Sequence, residues 1–360
     1  IGNGTNFWIQ GDSSYNVTLA GIATVYSATG IVSATKFCGD GSALTGLAGF
    51  EPDSQENLYA GTNAGAASDA DTCFNIALGC NAGKTNCAGD HNVLLGCTAG
   101  CLLTDGGCNV LIGKETGSYL TTGNRNVFIG RNAGKYSSTG TNNVILGNAA
   151  TSGPGLTGSN NFITGFAAGE AMTSGRYNVL TGAYAGNDIT EGEQNILLGL
   201  NAGEKLTTTD KNIFLGSYAG KCNTGTANIS LGCDSLKASG ASFATIAIGG
   251  KAGLNNAAGS YNIYFGFCAG GNVTSGGRNI AIGRCVELPS ATGSCQLAIG
   301  DQTNRWITGD SSFNVCLAGI ATVYSATGIV SATAFYGDGS ALTGISAGFT
   351  PDADENLVAG

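Results

Sequence analysis

The sequence has few charged residues, and histidine, methionine and proline are rare. Charged residues make up 11% of its 360 residues, with one histidine, one methionine and four prolines. Lysine and glutamate are strong helix formers, so their scarcity argues against a helical architecture. The formal net charge of −9 leaves no basic surface for phosphate groups, and we therefore expect no nucleic-acid partner. No apolar run approaches about 18 residues, so we expect no insertion into a membrane.

The scarcity of histidine also limits the chemistry that the chain can perform. His91, the one histidine, stands directly before Asn92, where other copies of the repeat described below have Arg125 or Tyr177. This variation indicates an exposed position and neither a Ser-His-Asp triad nor a histidine metal site. Glu191 and Glu193 could share one turn, as paired carboxylates do in glycosidases, but we favour an exposed acidic turn that keeps the chain soluble. We expect no enzyme activity, metal or cofactor.

Cysteine is abundant, but its number is odd. Thirteen cysteines cannot all pair within one chain, so at least one is free or intermolecular. Cys80 and Cys97 occupy equivalent repeat positions, where stacked coils about 4.8 Å apart would permit a disulfide. Small buried thiols that fill a stack are the alternative, and we favour it.

Glycine supplies 61 residues, many of them in an internal repeat. The pattern is Asn, apolar, any residue, apolar, Gly, two variable residues, Ala, Gly, and almost every copy begins 17 residues after the previous one. Fifteen copies fill residues 57–304, with steps of 18 into Asn161 and 16 into Asn228, and with Thr245 and Gln296 at the asparagine position. Seventeen residues accommodate two turns and two short strands, which is one coil of a parallel β-solenoid. We therefore predict an all-β solenoid of about fifteen coils.

The asparagine and the glycine that follows it have predicted structural roles. Stacked side-chain amides can form a ladder between coils, although tolerance of turn conformations would also explain the asparagine. The predicted ladder consists of Asn75, Asn92, Asn109, Asn126, Asn143, Asn161, Asn178, Asn195, Asn212, Asn228, Asn262 and Asn279. A residue without Cβ suits a corner with positive φ or crowded backbones. The predicted corners are Gly79, Gly96, Gly113, Gly130, Gly147, Gly165, Gly182, Gly199, Gly216, Gly232, Gly249, Gly266, Gly283 and Gly300.

The apolar residues after each asparagine predict which face of the strand is buried. Positions one and three after the asparagine, such as Val127 and Ile129, are expected to face the core, because alternate residues share a face. The position between them would then face water, although it is largely apolar. Such a stripe needs cover, so we expect identical chains to associate along it. The predicted oligomer stripe is Leu94, Leu111, Phe128, Ile145, Ile163, Leu180, Leu197, Phe214 and Tyr264.

A longer repeat lies on both sides of the solenoid. Residues 7–49 return at 305–345 with few changes, and Trp8 matches Trp306 at a shift of 298 residues. We therefore predict a β-rich connector at 1–56, a solenoid at 57–304, a second connector at 305–356 and the start of the next solenoid at 357–360. Such an organisation indicates a tandem array, and a tandem array of solenoids is a fibre.

Two segments also resemble known families. The repeat Asn-Val-Phe-Ile-Gly-Arg-Asn-Ala-Gly at 126–134 and the segment 28–46 resemble the repetitive shafts of phage and large-virus tail fibres, and more distantly the head coils of trimeric autotransporter adhesins. The resemblance implies a homotrimeric fibre, joined end to end, on a virion surface or in an extracellular filament. Two functions follow: a structural shaft, or an adhesin whose loops bind a host glycan or receptor. We favour the shaft, because the loops are short and constant in length.

Overall fold

The computed structural model describes residues 52–318 and the short segments 2–3, 6–7, 9–11, 17–19, 349–351 and 357–359. The chain divides into two compact units, residues 1–51 and residues 52–360. Every regular element in the described residues is a β-strand. Much of the predicted connectors 1–56 and 305–356 lies outside the described residues.

Fifteen short strands follow one another at the repeat spacing, and each pairs in parallel with its neighbours in the sequence. They bound fourteen turns of a β-solenoid, so the predicted all-β solenoid architecture is confirmed. The strands are β5 (Leu58–Ala60), β6 (Ile76–Leu78), β7 (Val93–Leu95), β8 (Val110–Ile112), β9 (Val127–Ile129), β10 (Val144–Leu146), β11 (Phe162–Thr164), β12 (Val179–Thr181), β13 (Ile196–Leu198), β14 (Ile213–Leu215), β15 (Ile229–Leu231), β16 (Ile246–Ile248), β17 (Ile263–Phe265), β18 (Ile280–Ile282) and β19 (Leu297–Asp301).

Each coil contains one strand, where the sequence had predicted two. The remainder of the coil passes through left-handed residues, such as Asn132 with φ of 59° and Gly134 with φ of 56°. A left-handed residue turns the chain and prevents a second extended segment. Backbone hydrogen bonds still join the coils there, since the Gly117 N–H donates to the Ala133 carbonyl at 3.0 Å and the Gly134 N–H to the Ala150 carbonyl at 2.9 Å.

The core of the solenoid is built mainly from three positions of each coil in addition to the asparagine. They are the second, seventh and eleventh residues after it, such as Phe128, Ala133 and Ser137, which are all fully buried. Large and small side chains compensate for one another. The coil with Phe128 has Ser137 at the eleventh position, whereas the preceding coil combines Leu111 with Leu120. Constant packing density along the stack therefore does not require an identical residue at each position.

One coil has a polar core. Ser230, Ser235 and Ser239 are fully buried there, beneath Asn223 of the preceding coil. Asn223 Nδ2 donates to Ser239 Oγ at 3.1 Å and to Ser242 Oγ at 2.9 Å, and the Ser230 hydroxyl donates to the Ser235 carbonyl at 2.9 Å. These bonds satisfy the buried groups. The polar layer divides the apolar core into one cluster within residues 77–219 and another within 236–298.

The predicted orientation of the strands is wrong. Val127 and Ile129 lie on the outside of the coil, with Ile129 40% exposed, whereas Phe128 between them is fully buried. The asparagine points inward, and in an extended strand the residue two places later shares its face. All nine residues of the predicted oligomer stripe are consequently buried in the core of their own chain: Leu94, Leu111, Phe128, Ile145, Ile163, Leu180, Leu197, Phe214 and Tyr264.

The last parallel strand is followed by an antiparallel hairpin. Strand β20 (Asn304–Gly309) pairs with β19, and β21 (Val315–Leu317) pairs with β20. In the first unit, β3 (Ile9–Gly11) pairs with β4 (Val17–Leu19), with Ile9 opposite Leu19, just as Ile307 lies opposite Leu317. The two copies of the long sequence repeat therefore share a strand register.

Two further antiparallel pairs complete the described strands. Strand β1 (Gly2–Asn3) pairs with β2 (Asn6–Phe7), and β22 (Phe349–Pro351) pairs with β23 (Leu357–Ala359). Strand β23 corresponds in sequence to β5, but its described partner is an antiparallel strand, whereas β5 pairs in parallel with β6.

Candidate functional site

The ladder asparagines form a buried inner column. The Asn109 backbone N–H donates to Asn92 Oδ1 at 2.9 Å, and Asn109 Nδ2 donates to the same oxygen at 3.0 Å. Asn109 Nδ2 also donates to the carbonyl of Gly123 at 2.9 Å, where the chain completes the coil. The Asn109 side chain thus bonds to the preceding coil and also joins the two ends of its own coil. These bonds satisfy an amide that is buried away from water.

The column is interrupted at Thr245. The Thr245 backbone N–H donates to Asn228 Oδ1 at 3.0 Å, as an asparagine would. In the described part of the chain, however, no hydrogen bond joins the Thr245 side chain to Asn262 in the next coil. At Gln296 the column continues, because the Gln296 N–H donates to Asn279 Oδ1 at 2.8 Å. The shorter threonine side chain therefore leaves one link of the ladder unmade.

The predicted corner glycines have two reasons to lack a side chain. From Gly79 to Gly283 their φ angles lie between 125° and 140°, a region that other residues avoid. A Cβ on Gly216 would also lie 2.7 Å from the carbonyl of Gly232 in the next coil. Gly300 differs, because it lies within β19, and its Cβ would stand 2.7 Å from the Cα of Arg305 in the adjoining strand.

The residues considered for catalysis or metal binding are not assembled into a site. Glu193 forms an ion pair with Arg176 of the neighbouring coil, with Nε and Oε1 3.0 Å apart, while Glu191 is exposed. His91 is exposed and stacks on Phe74, with ring centroids 4.9 Å apart. Among the described residues, no group of three histidine, cysteine, aspartate or glutamate side chains could hold a metal ion, and no helix could cross a membrane.

The cysteines lie on the outside of the coils. Twelve of them fall within residues 52–318, and all twelve are free and at least partly exposed, so the expectation of buried thiols is wrong. The equivalent residues Cys80 and Cys97 are both exposed. Cys268 and Cys285 form a second equivalent pair, and partial burial together with the neighbouring thiol raises the pKa of Cys268.

The outward side of the parallel sheet is apolar along its length. We define the outer sheet face as the first and third residues of strands β6 to β19. All of them are valine, isoleucine, leucine or phenylalanine except Thr164 and Thr181. Exposure is greatest at the larger side chains, reaching 43% at Phe162 and 53% at Phe265. The sequence analysis placed these residues in the core and therefore did not predict that they form a surface.

A second surface feature lies on another side of the solenoid, where one coil has an extra residue. Tyr119 and Tyr136 stand in adjacent coils with ring centroids 4.8 Å apart, and both are exposed. The loop with Pro154 and Gly155 forms the opposite wall of an open notch of about 520 Å³. Lys135 Nζ lies 5.1 Å from the Tyr136 ring centroid. Two aromatic rings therefore line one concave surface, and Lys135, which also pairs with Glu115, lies beside it.

Comparison of the chain with protein-family models, curated proteins and solved structures finds no match.

Proposed function

We propose that this chain is a structural shaft segment of a long fibre, which provides reach and stiffness on a virion surface or in an extracellular filament. The observation that carries the proposal is the single file of parallel strands from β5 to β19, in which every strand pairs with its sequence neighbours. Such a stack extends along one axis by about 4.8 Å per coil, so fourteen turns span about 70 Å. The proposal includes no catalytic step and no cofactor.

Contacts between successive coils support stiffness. The asparagine column links the coils inside, and the strand ladder links them at the sheet. Ion pairs add links outside, such as Lys135 Nζ to Glu115 Oε2 at 2.6 Å. Exposed ion pairs contribute little individually, but they join neighbouring coils and therefore resist bending.

The repeated hairpin supports a tandem arrangement. Strands β3 and β4 share the register of β20 and β21, one repeat of 298 residues later. The resemblance to viral fibre shafts adds the remaining parts of the proposal, namely three chains per fibre and units joined end to end.

Electron microscopy of single particles tests the shaft. We would compare residues 1–360 with a chain in which residues 12–309 are present twice in tandem. The proposal expects rods of uniform width, with the longer chain extended by one solenoid plus one connector. Compact particles that grow in width as well as length would contradict it.

An adhesin is the second candidate, favoured by the notch at Tyr119 and Tyr136. The two exposed rings, tilted by 38° to each other, offer flat apolar surfaces for the C–H face of a sugar, and the neighbouring Lys135 offers hydrogen-bond donors. A glycan array tests this candidate. Binding that is lost in Tyr119→Ala and Tyr136→Ala but retained in Tyr177→Ala, an exposed tyrosine of another coil, would support it. Absence of binding by the unmodified chain would leave the shaft as the function.

A further inference from the structure

The outer sheet face lacks the polar residues that a sheet facing water normally has. Antiparallel and solvent-facing sheets usually alternate between apolar residues inside and polar residues outside. In β9, Phe128 points into the core, and Val127 and Ile129 on the other side are equally apolar. The same holds from β6 to β19, except that Thr164 and Thr181 lie on the outer face and Ser230 of β15 points into the core. The strands are therefore apolar on both faces.

The area of this face is large for a single soluble chain. Fourteen strands about 4.8 Å apart, each with an outer face three residues or about 10 Å long, form a strip of about 65 Å by about 10 Å, or about 650 Å². Soluble monomers rarely expose a contiguous apolar patch of more than a few hundred Å². A stable interface of standard size buries about 600–1,000 Å² per partner, and the strip lies within this range. The face is thus large enough to hold a complex together.

Charged residues border the outer sheet face without entering it. Arg125 and Lys211 are exposed at the position directly before a ladder asparagine, on one margin. Arg131 and Arg284 are exposed directly after a corner glycine, on the other margin. Exposed aromatic residues share these margins, such as Tyr177 on the first and Phe267 on the second, so the apolar surface extends beyond the outer sheet face.

The hairpin after β19 limits how the chains can associate. Strand β20 covers the free edge of β19, so this end of the sheet does not offer its backbone to another strand. Association by edge-to-edge strand addition is blocked there. The outer sheet face remains open along its side.

We infer that the outer sheet face packs against the same face of further copies of this chain, lying parallel around a common axis. A copy of the chain matches the strip in both length and coil spacing, which a compact partner could not. Copies arranged around a cyclic axis also form a closed assembly, in which every outer sheet face has a partner. The inference deepens the proposed function, of which three associated chains are a part, by naming the face through which the chains associate. If electron microscopy shows rods but the outer sheet face is not covered, the shaft stands and this inference alone fails.

Analytical ultracentrifugation of residues 1–360 at micromolar concentration tests the inference. The unmodified chain is expected to sediment as a multiple of its 35.8 kDa monomer. A triple variant, Ile129→Glu, Phe162→Glu and Ile196→Glu, places charges at positions that are 40%, 43% and 37% exposed in the single chain. It is expected to sediment as a folded monomer, with association weakened at least about 100-fold by buried, unpaired charges.

A matched control variant places three glutamates on another side. Leu102, Tyr119 and Tyr136 are 39%, 45% and 40% exposed, and each lies ten residues after a ladder asparagine. Their replacement by glutamate is expected to leave the oligomer intact. An unmodified chain that is monomeric, or a folded outer-face variant that remains oligomeric, would overturn the inference, and a dimer or a trimer would both support it.

Carbene labelling of the unmodified chain provides a test that does not depend on a variant that folds. In the single chain, Phe162 and Phe265 are as accessible as Tyr119 and Tyr136. If the outer sheet face is covered, a small diazirine reagent should label the two phenylalanines several-fold less than the two tyrosines. Equal labelling would contradict the inference.

Discussion

Asn126 Oδ1 accepts the backbone N–H of Asn143, one coil further along, at 2.9 Å, while Asn126 Nδ2 donates to the carbonyl of Gly140 at 2.8 Å. Both partners are buried, and neither can turn to water if the side chain is removed. The stability of two coils therefore depends on one carboxamide.

The first prediction concerns this carboxamide. Asn126→Ala should lower the free energy of unfolding by about 2–4 kcal/mol, because it leaves the Asn143 N–H and the Gly140 carbonyl buried without partners. Asn148 is exposed in the next coil, and Asn148→Ala should change stability by less than about 0.5 kcal/mol. Urea denaturation followed by circular dichroism measures both. Equal losses in the two variants would mean that the ladder contributes no specific stability.

The second prediction uses the interruption of the column. Thr245→Asn should raise the free energy of unfolding by about 1 kcal/mol, since the longer side chain can accept the N–H of Asn262. Thr245→Ala serves as the control, because it cannot make this link and should be neutral or destabilising. The same denaturation experiment compares the three chains. A Thr245→Asn chain less stable than the unmodified one would show that the site cannot accommodate the carboxamide.

The third prediction compares two neighbouring residues of β9. Phe128→Asp should prevent folding of the surrounding coils, because it buries an unpaired charge in the core. Ile129→Asp should leave the coil folded, since this side chain is already 40% exposed. Thermal unfolding under conditions that keep the chain monomeric distinguishes the two. The opposite order of stabilities would restore the strand orientation that the sequence had predicted.

The fourth prediction concerns Tyr264, which is fully buried and whose hydroxyl lacks a hydrogen-bond partner among the described residues. Tyr264→Phe should raise the free energy of unfolding by about 1 kcal/mol at neutral pH, because an unpaired buried hydroxyl is costly. Tyr261→Phe, at an exposed tyrosine of the same coil, should have little effect.

Tyr264 also predicts the behaviour of the chain in alkali. Burial raises the pKa of Tyr264 above its ordinary value. Above about pH 10 the unfolded chain releases this phenolic proton while the folded chain retains it, so stability should fall as the pH rises. Melting temperatures of the unmodified chain and Tyr264→Phe between pH 8 and 11 measure the effect. The loss should be smaller in the variant, and identical pH profiles would contradict the assignment.

The sequence predicted the period and the strand after each asparagine, because both depend on residues that repeat, but it also predicted a second strand that the coils do not contain. Asn126 and Gly130 belong to positions that return in every coil. Replacing Asn126 would remove buried side-chain hydrogen bonds, and replacing Gly130 would force a side chain into a conformation with φ of 132°. The orientation of the strand could not be taken from hydrophobicity, since Val127, Phe128 and Ile129 are all apolar. The usable signal was the asparagine itself. Once it is placed inside the coil, alternation places Phe128 inside with it.

Other features depended on residues that do not repeat. The buried cluster of Asn223 and Ser239 joins two adjacent coils, and both residues stand at a position that is apolar in many other coils. The consensus of the repeat therefore does not predict it. The notch at Tyr136 is lined by the loop with Pro154, in the coil that has one extra residue. The sequence shows that a residue is added but not which part of the loop it displaces. The single strand in each coil follows from left-handed φ angles at residues as different as Asn132 and Tyr184.

The constant contact between coils has a consequence for the gene. Val144 still faces Phe162 across a step of 18 residues, and Ile213 still faces Ile229 across a step of 16, so gains and losses of residues are absorbed in the loops. Coils with an apolar core are thus compatible in strand register, whereas the coil with Ser239 also depends on Asn223 of the preceding coil. Unequal recombination between the coding repeats would delete or duplicate whole coils and still yield a chain that folds. The reach of the protein can therefore evolve in steps of one coil.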